Sequence, residues 1–201
     1  MPPTTEVVFF DGFDDLDAIA PLEVLTESGF DVRSVCVPGQ AREVRSAHGL
    51  QITVAGELSH EPELVVVPGG GWIDNTAAGA RAQSEGRLPG LLVDLHAPGT
   101  VIASVCTGAM LLATAGLLRG RPAVTNRGAL DDLARFGAEV HAEARVVDDG
   151  SIVTSGGVVA GLDLALWLVE RFCSAQDAAQ AAQRLEHERV GLVLVAGSGP
   201  A

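Results

Sequence analysis

Short runs of apolar, β-branched residues alternate along this chain with longer stretches whose apolar positions recur at helical spacing. The apolar runs predict strands at about 7–10, 30–37, 64–67 and 100–104, and shorter ones near 123–125, 140, 145–147 and 151–154. The stretches between them predict helices at about 21–28, 73–80, 88–96, 107–115, 130–136, 161–173 and 175–188. Strands separated by helices in this way form a mainly parallel sheet with helices on both faces, so the expected fold class is α/β.

Turn residues refine this pattern. Pro21 suits the first turn of a helix that Gly29 ends. The runs 44–46 and 50–54 predict a small β-hairpin, and 145–147 is expected to pair with 151–154 across an Asp-Asp-Gly turn. One domain is predicted over 1–195, with a short flexible tail at 196–201.

Composition narrows the functional classes. The chain has 201 residues, of which 47% are hydrophobic, and this is ample for one buried core. A formal charge of −13 argues against nucleic acid as a partner, because that binding needs a basic face. No apolar run has the length of a membrane span, and the first residues lack a basic signal-peptide region. We therefore expect a cytoplasmic protein that does not bind a membrane.

The site of a mainly parallel sheet lies beyond the carboxyl ends of its strands. In this chain those ends are predicted at 11–17, 68–71, 105–107, 126–127 and 155–158. Three widely spaced cysteines suit reduced thiols and form neither a disulfide framework nor a metal motif. Cys36 and Cys173 are predicted to be buried, structural thiols. Cys106 differs, because it lies in one of the predicted site segments.

Cys106 stands between a predicted strand and a predicted helix, in the form of a nucleophile elbow. A hydrolase elbow has Gly two residues before the nucleophile, where this chain has Ser104. A cysteine at a helix N-terminus faces unpaired amides and the positive end of the helix dipole, and both stabilise a thiolate. The position predicts a reactive cysteine, although a buried, inert thiol is the alternative.

The segment SVCTGAMLLATAGLLRGRPAVTN around this cysteine resembles the nucleophile segment of the ThiJ/PfpI superfamily, which has the class I glutamine-amidotransferase-like fold. LDAIAPLEVL, VVVPGGG and TSGGVVAGLDLALWLVERF fall where the family has its corresponding pieces, so the resemblance covers nearly the whole chain. It is closest to the isocyanide (isonitrile) hydratase branch. The resemblance implies a flavodoxin-like three-layer sandwich, a homodimer, a small-molecule substrate, and neither a metal nor an organic cofactor.

The resemblance also implies catalytic roles for Cys106 as nucleophile, Asp17 as proton shuttle and Thr107 as its helper. Capping of the first helix is the alternative role for Asp17, and a helix-start hydroxyl without a chemical role is the alternative for Thr107. A carboxyl group beside a thiol should share a proton with it and have a raised pKa. Protease-like and glyoxalase-like members carry His after the cysteine, so Thr107 argues against a Cys–His–Asp triad. The five histidines are predicted to be mostly solvated: His48, His60, His96, His141 and His187.

The resemblance places the substrate-binding residues at three turns. Amides of Gly70 or Gly71 would join that of Thr107 in polarising the reacting group. Gly157 and Val158 would form a pocket wall. Asn126 and Arg127 depart from the residues of many relatives and would shape the pocket, where Arg127 could favour an acidic substrate. Tight turns without a chemical role are the alternative for both glycine segments.

The resemblance implies an isocyanide hydratase, a hydro-lyase that forms an N-substituted formamide through a covalent thioimidate on Cys106. The alternative enzyme is a glyoxalase or deglycase acting on small dicarbonyls. From a different class, a non-enzymatic redox or ligand sensor would use the same cysteine, since a low-pKa thiol oxidises easily.

Overall fold

The structure, a computed structural model, describes residues 1–74, 76–96 and 99–197. Its strands are β1 (Thr5–Phe9), β2 (Val32–Cys36), β3 (Glu43–Arg45), β4 (Gln51–Thr53), β5 (Gly56–Glu57), β6 (Leu64–Val67), β7 (Val101–Ser104), β8 (Pro122–Ala123), β9 (Glu139–Val140), β10 (Ala144–Asp148), β11 (Ile152–Ser155) and β12 (Leu192–Val195). Its helices are α1 (Asp15–Glu27), α2 (Ala80–Ser84), α3 (Leu88–Leu95), α4 (Gly108–Thr114), α5 (Leu130–Arg135), α6 (Ala160–Phe172) and α7 (Ala175–Arg184).

The central sheet has eight strands in the order β12-β10-β11-β7-β6-β1-β2-β5. From β11 to β5 all neighbours are parallel, whereas β10 runs antiparallel to β11 and parallel to β12. The middle strands β1, β6 and β7 are buried along their whole length, which explains why they consist of continuous apolar runs. The predicted α/β class with a mainly parallel sheet is confirmed.

Helices cover the sheet in two groups. α6 packs against α1 and α7, and α4 packs against α2, α3 and α5. The predicted hairpin is confirmed as β3 and β4, and the predicted pairing across the Asp-Asp-Gly turn is confirmed as β10 and β11. Among the described residues, no helix combines the length and the apolar character needed to cross a membrane.

The first helix begins earlier than predicted. Asp14 caps α1 by accepting a hydrogen bond from the amide of Leu16, so Pro21 lies inside the helix and not in its first turn. Proline has no N–H to reach the carbonyl four residues back, which is that of Asp17. The early start places Asp17 within the first turn of α1 and not in the loop before it.

Two other predictions were wrong. No helix forms over the described residues of 73–79; α2 starts at Ala80, because the amides of Gly79 and Ala80 bond the carbonyls of Asp11 and Gly70. The last strand, β12, was not predicted, because only its pairing with β10 distinguishes its apolar residues from a tail. Of the predicted tail at 196–201, residues 198–201 lie outside the described residues.

Candidate active site

Cys106 occupies a strained turn between β7 and α4. Its φ of +55° lies in the left-handed region, which residues other than glycine seldom adopt. The turn is held on both sides, because the Cys106 amide donates to the carbonyl of Gly156 at 3.1 Å and its carbonyl accepts from Thr125 Oγ1 at 2.8 Å. A Cβ at Gly108 would lie 2.2 Å from the carbonyl oxygen of Val67, so only glycine lets α4 start this close to β6. The predicted elbow geometry is present, and the Cys106 residue is 5% exposed.

Asp17 is fully buried beside this cysteine. Its Oδ2 accepts a hydrogen bond from the amide of Gly69 at 3.1 Å, whereas Oδ1 has no partner of ordinary hydrogen-bond geometry within the described part of the chain. Burial and the nearby charge of Asp14 raise the pKa of Asp17 to about 8, and interactions with Gly69 and Cys106 only partly oppose them. The raised carboxyl pKa expected from the sequence is therefore found, and capping is ruled out because Asp14 caps α1.

Within the described ranges, three polar groups lie next to the sulfur of Cys106. The Asn126 side-chain amide donates to Sγ at 3.3 Å, the amide of Thr107 also donates to it, and the carboxyl group of Asp17 lies nearby. Burial and the negative charge of an ionised Asp17 raise the pKa of Cys106 to about 12, against the two donors. The expectation of a thiolate stabilised by the helix terminus is corrected here. Desolvation and a neighbouring carboxylate raise the thiol pKa more than the two amide donors lower it. Because the charge on Asp17 acts on the thiol, the two groups titrate as a pair.

The glycine turn after β6 holds the catalytic candidates in place. The Gly70 amide donates to Thr107 Oγ1 at 3.0 Å. It therefore fixes Thr107 and is not free to polarise a substrate, which corrects the role expected for Gly70 from the sequence. A Cβ on Gly69 would lie 2.5 Å from the Thr107 amide nitrogen. Gly71, with φ at +64°, packs on Thr76 and Ala78. The turn therefore mainly connects α1 to the elbow through hydrogen bonds to Asp17 and Thr107.

Beside Asn126 opens a cavity of about 650 Å³. Four of the predicted substrate-binding residues line it, namely Asn126, Arg127, Gly157 and Val158, together with Glu143, Arg145 and Val190 among others. Arg127 is exposed at its rim. A Cβ built on Gly157 would lie 2.8 Å from Cys106 Sγ, so this part of the cavity wall packs against the sulfur, although Cys106 itself does not line the cavity. Gly70 and Gly71 lie on the other side of the elbow and do not line it.

The contact between Asn126 and the sulfur was missed from the sequence, which assigned Asn126 to the pocket wall alone. The available signal was its place after a predicted strand, in the same group of strand ends as Cys106.

Two other predictions on single residues need correction. Cys173 is exposed at the end of α6, although Cys36 is buried as predicted. His187 is not solvated, because its Nε2 lies 3.0 Å from the buried carboxylate of Asp163.

No histidine takes part in the site. Among the described residues, the polar contacts of Cys106 come from the backbone, Asp17, Thr125 and Asn126, none of which can act as an imidazole base. Within the same ranges, no group of three or more His, Cys, Asp or Glu side chains could hold a metal ion. The site therefore offers a thiol, one buried acid and hydrogen-bond donors.

This chain is similar in sequence and in fold to known proteins. The profile of the DJ-1/PfpI family matches residues 5–171. An isonitrile hydratase from Pseudomonas putida is 31% identical over 182 residues, which cover 90% of this chain and 76% of the relative. A deglycase from Thermococcus kodakarensis is 30% identical over 149 residues, 72% of this chain and 84% of the relative. The solved structure of a ThiJ/PfpI family protein from Pseudomonas syringae superposes with a TM-score of 0.81 at 28% identity, covering 94% of this chain and 76% of that one.

Proposed function

Because the chain belongs to the DJ-1/PfpI family, we propose that it is a cysteine-dependent hydratase that converts isocyanides to N-substituted formamides. The observation that carries the proposal is the pairing of Cys106 with the fully buried carboxyl group of Asp17, with no histidine beside the sulfur among the described residues. The similarity to the isonitrile hydratase of Pseudomonas putida supports it. Family membership further supports a small-molecule substrate, a homodimeric assembly and action in the cytoplasm.

The chemistry of an isocyanide matches this pair. Its terminal carbon must receive both the sulfur and a proton, and the substrate provides no acidic group for the purpose. With a pKa of about 8, Asp17 holds its proton at neutral pH and can donate it. A histidine base, which serves acyl transfer in related thiol enzymes, is not required.

The proposed reaction has two balanced steps. The Cys106 sulfur bonds to the isocyanide carbon, Asp17 gives its proton to that carbon, and the thiol proton replaces it on Asp17; the product is a thioimidate. Water then adds to the thioimidate carbon with Asp17 as proton relay, and the carbon–sulfur bond breaks. This step releases the formamide and restores the thiol, so no external redox partner is consumed. Thr107, fixed by Gly70, is suited to hold the water.

The direct test is formamide production from cyclohexyl and aromatic isocyanides by the wild type, Cys106→Ala and Asp17→Asn. We expect turnover only in the wild type, and loss of at least a hundredfold in Asp17→Asn, in line with the typical contribution of a general acid. Because only protonated Asp17 donates, kcat/KM should fall as the pH rises through about 8. Formamide production that survives Cys106→Ala would refute the mechanism.

The same assay separates the alternatives. Lactate from methylglyoxal without isocyanide turnover would favour the dicarbonyl chemistry of the deglycase relative. Selective oxidation of Cys106 by mild peroxide, without turnover of any substrate, would favour a sensor. The raised pKa of Cys106 argues against the sensor, because thiolates oxidise faster than thiols. Light scattering of the purified protein tests the homodimer.

A further inference from the structure

We propose that Asn126 is a catalytic residue, whose side-chain amide holds the Cys106 sulfur while negative charge develops on it. The role rests on the proposed function for its chemistry, but the contact itself is independent of the substrate. Asn126 Nδ2 lies 3.3 Å from Cys106 Sγ, within reach of an N–H···S hydrogen bond. Asn126 also lines the cavity of about 650 Å³, so one side chain contacts both the sulfur and a space that a substrate could enter.

The orientation of this amide is fixed by the local backbone. Asn126 Oδ1 accepts a hydrogen bond from the amide of Gly128 at 2.9 Å and so caps the short 3₁₀ helix Arg127–Ala129. Since the oxygen is engaged there, the NH₂ group must face Cys106. The preceding residue, Thr125, bonds the Cys106 carbonyl at 2.8 Å. The segment 125–126 therefore positions both the backbone and the sulfur of the nucleophile.

Space for the contact depends on the residue opposite. A Cβ at Gly157 would lie 2.3 Å from Asn126 Nδ2 and 2.8 Å from Cys106 Sγ. Any other residue there would displace one of the two hydrogen-bonded groups. Glycine at 157 therefore has a function specific to the Asn–Cys pair, beyond allowing a tight turn.

An amide at this position does chemistry that a histidine would not. It donates a hydrogen bond to sulfur but does not bind or release a proton near neutral pH. Proton transfer therefore stays with Asp17, and Asn126 stabilises the charge on sulfur without competing for the proton. This charge develops when the thiol passes its proton to Asp17 for the attack, and again when sulfur leaves as the carbon–sulfur bond breaks, so one donor serves both steps.

The test measures the thiol itself. Iodoacetamide alkylation of Cys106 is followed by peptide mass spectrometry between pH 7 and 9.5 in the wild type, Asn126→Ser and Asn126→Asp. Both variants keep an oxygen that can cap the turn. The alkylation rate of the exposed Cys173, measured in the same sample, is the internal reference. Below about pH 8, where Asp17 keeps its proton, the rate rises tenfold per pH unit, so a change of the thiol pKa displaces this part of the line.

We expect Asn126→Ser to alkylate at Cys106 about ten- to one-hundredfold more slowly than the wild type, the range for one hydrogen bond to a charged group. Asn126→Asp should be slower still, because it puts a second carboxylate beside the sulfur. Cys173 should react equally in all three, and thermal unfolding checks that the variants are folded. A Cys106 rate in Asn126→Ser equal to or above that of the wild type would overturn the proposal and leave Asn126 as a turn cap.

Isocyanide turnover, assayed in parallel, keeps the two proposals apart. If the wild type makes no formamide but the alkylation line shifts in Asn126→Ser, the hydratase proposal fails and the role of Asn126 at the thiol stands. If the wild type makes formamide and Asn126→Ser matches it in both turnover and alkylation, only the role of Asn126 fails.

Discussion

Asp17→Asn should make the protein more stable above acidic pH, while it should remove the proposed hydratase activity. Asparagine has the shape of aspartate, and its carbonyl can keep the hydrogen bond from the Gly69 amide that Oδ2 now accepts. Its NH₂ group would take the place of Oδ1, which has no partner of ordinary geometry within the described part of the chain, and would face the sulfur of Cys106. The change therefore removes a buried ionisable group and opens no cavity.

The size of the effect follows from the pKa. In the unfolded chain Asp17 loses its proton near 3.8, whereas in the folded protein it keeps the proton until about pH 8. Between these values the folded state binds more protons than the unfolded chain. The contribution of protonated Asp17 to the free energy of unfolding is therefore fully present below pH 3.8 and is lost as the pH rises through about 8. At about 1.4 kcal/mol per unit, the wild type should lose about 2 to 3 kcal/mol relative to Asp17→Asn between pH 5 and pH 7.

Equilibrium urea unfolding at pH 5, 6 and 7 measures this difference directly. Asp131→Asn, which removes an exposed carboxylate in the first turn of α5, is the control and should follow the wild type. Parallel free energies of unfolding for the wild type and Asp17→Asn across this range would refute the reasoning. They would mean that Asp17 ionises in the folded protein as it does in the unfolded chain.

Two further substitutions test the packing around the site. Gly157→Ala should cut the alkylation rate of Cys106 more than tenfold, since the new methyl group displaces the sulfur or its donor; Gly90→Ala, with nothing within 4 Å of the added Cβ, should alkylate as the wild type. Equal rates in both would show that the space beside the sulfur is not needed. Asp148→Ala should cost about 2 to 4 kcal/mol in urea unfolding, because buried Asp148 accepts hydrogen bonds from Arg171 at 3.0 Å and from the Trp167 indole at 2.8 Å. A loss below about 0.5 kcal/mol would place these bonds among the weak surface contacts.

The position of the nucleophile was predictable because it depends on local order along the chain. An apolar run, one cysteine and a glycine before a helix define the elbow, and the structure adds only the left-handed φ of Cys106. The start of α1 was not predictable in the same way. Pro21 is common in first turns, but here Asp14 caps the helix and the proline falls inside it.

The electrostatics of the site could not be derived from local order. A helix terminus predicts a stabilised thiolate at Cys106, and this holds for an exposed cysteine. Burial and the approach of Asp17 reverse the direction, and both depend on how α1 packs against β1 and β6. The relatives do not settle the substrate either, since the isonitrile hydratase and the deglycase are similarly close to this chain.

The sequence by itself determined the fold class, the buried strands along the chain and the position of the candidate nucleophile, and its motifs carry the family resemblance. The fold class and the strands follow from periodicity, and the candidate nucleophile follows from residue types at short spacing. The tertiary structure alone decided that Asn126 reaches the sulfur, that Gly70 holds Thr107 in place, and that the pKa of the Cys106 thiol is raised and not lowered. Each of these depends on groups from separate strand ends meeting in a desolvated space, where distance and burial set hydrogen bonds and pKa values.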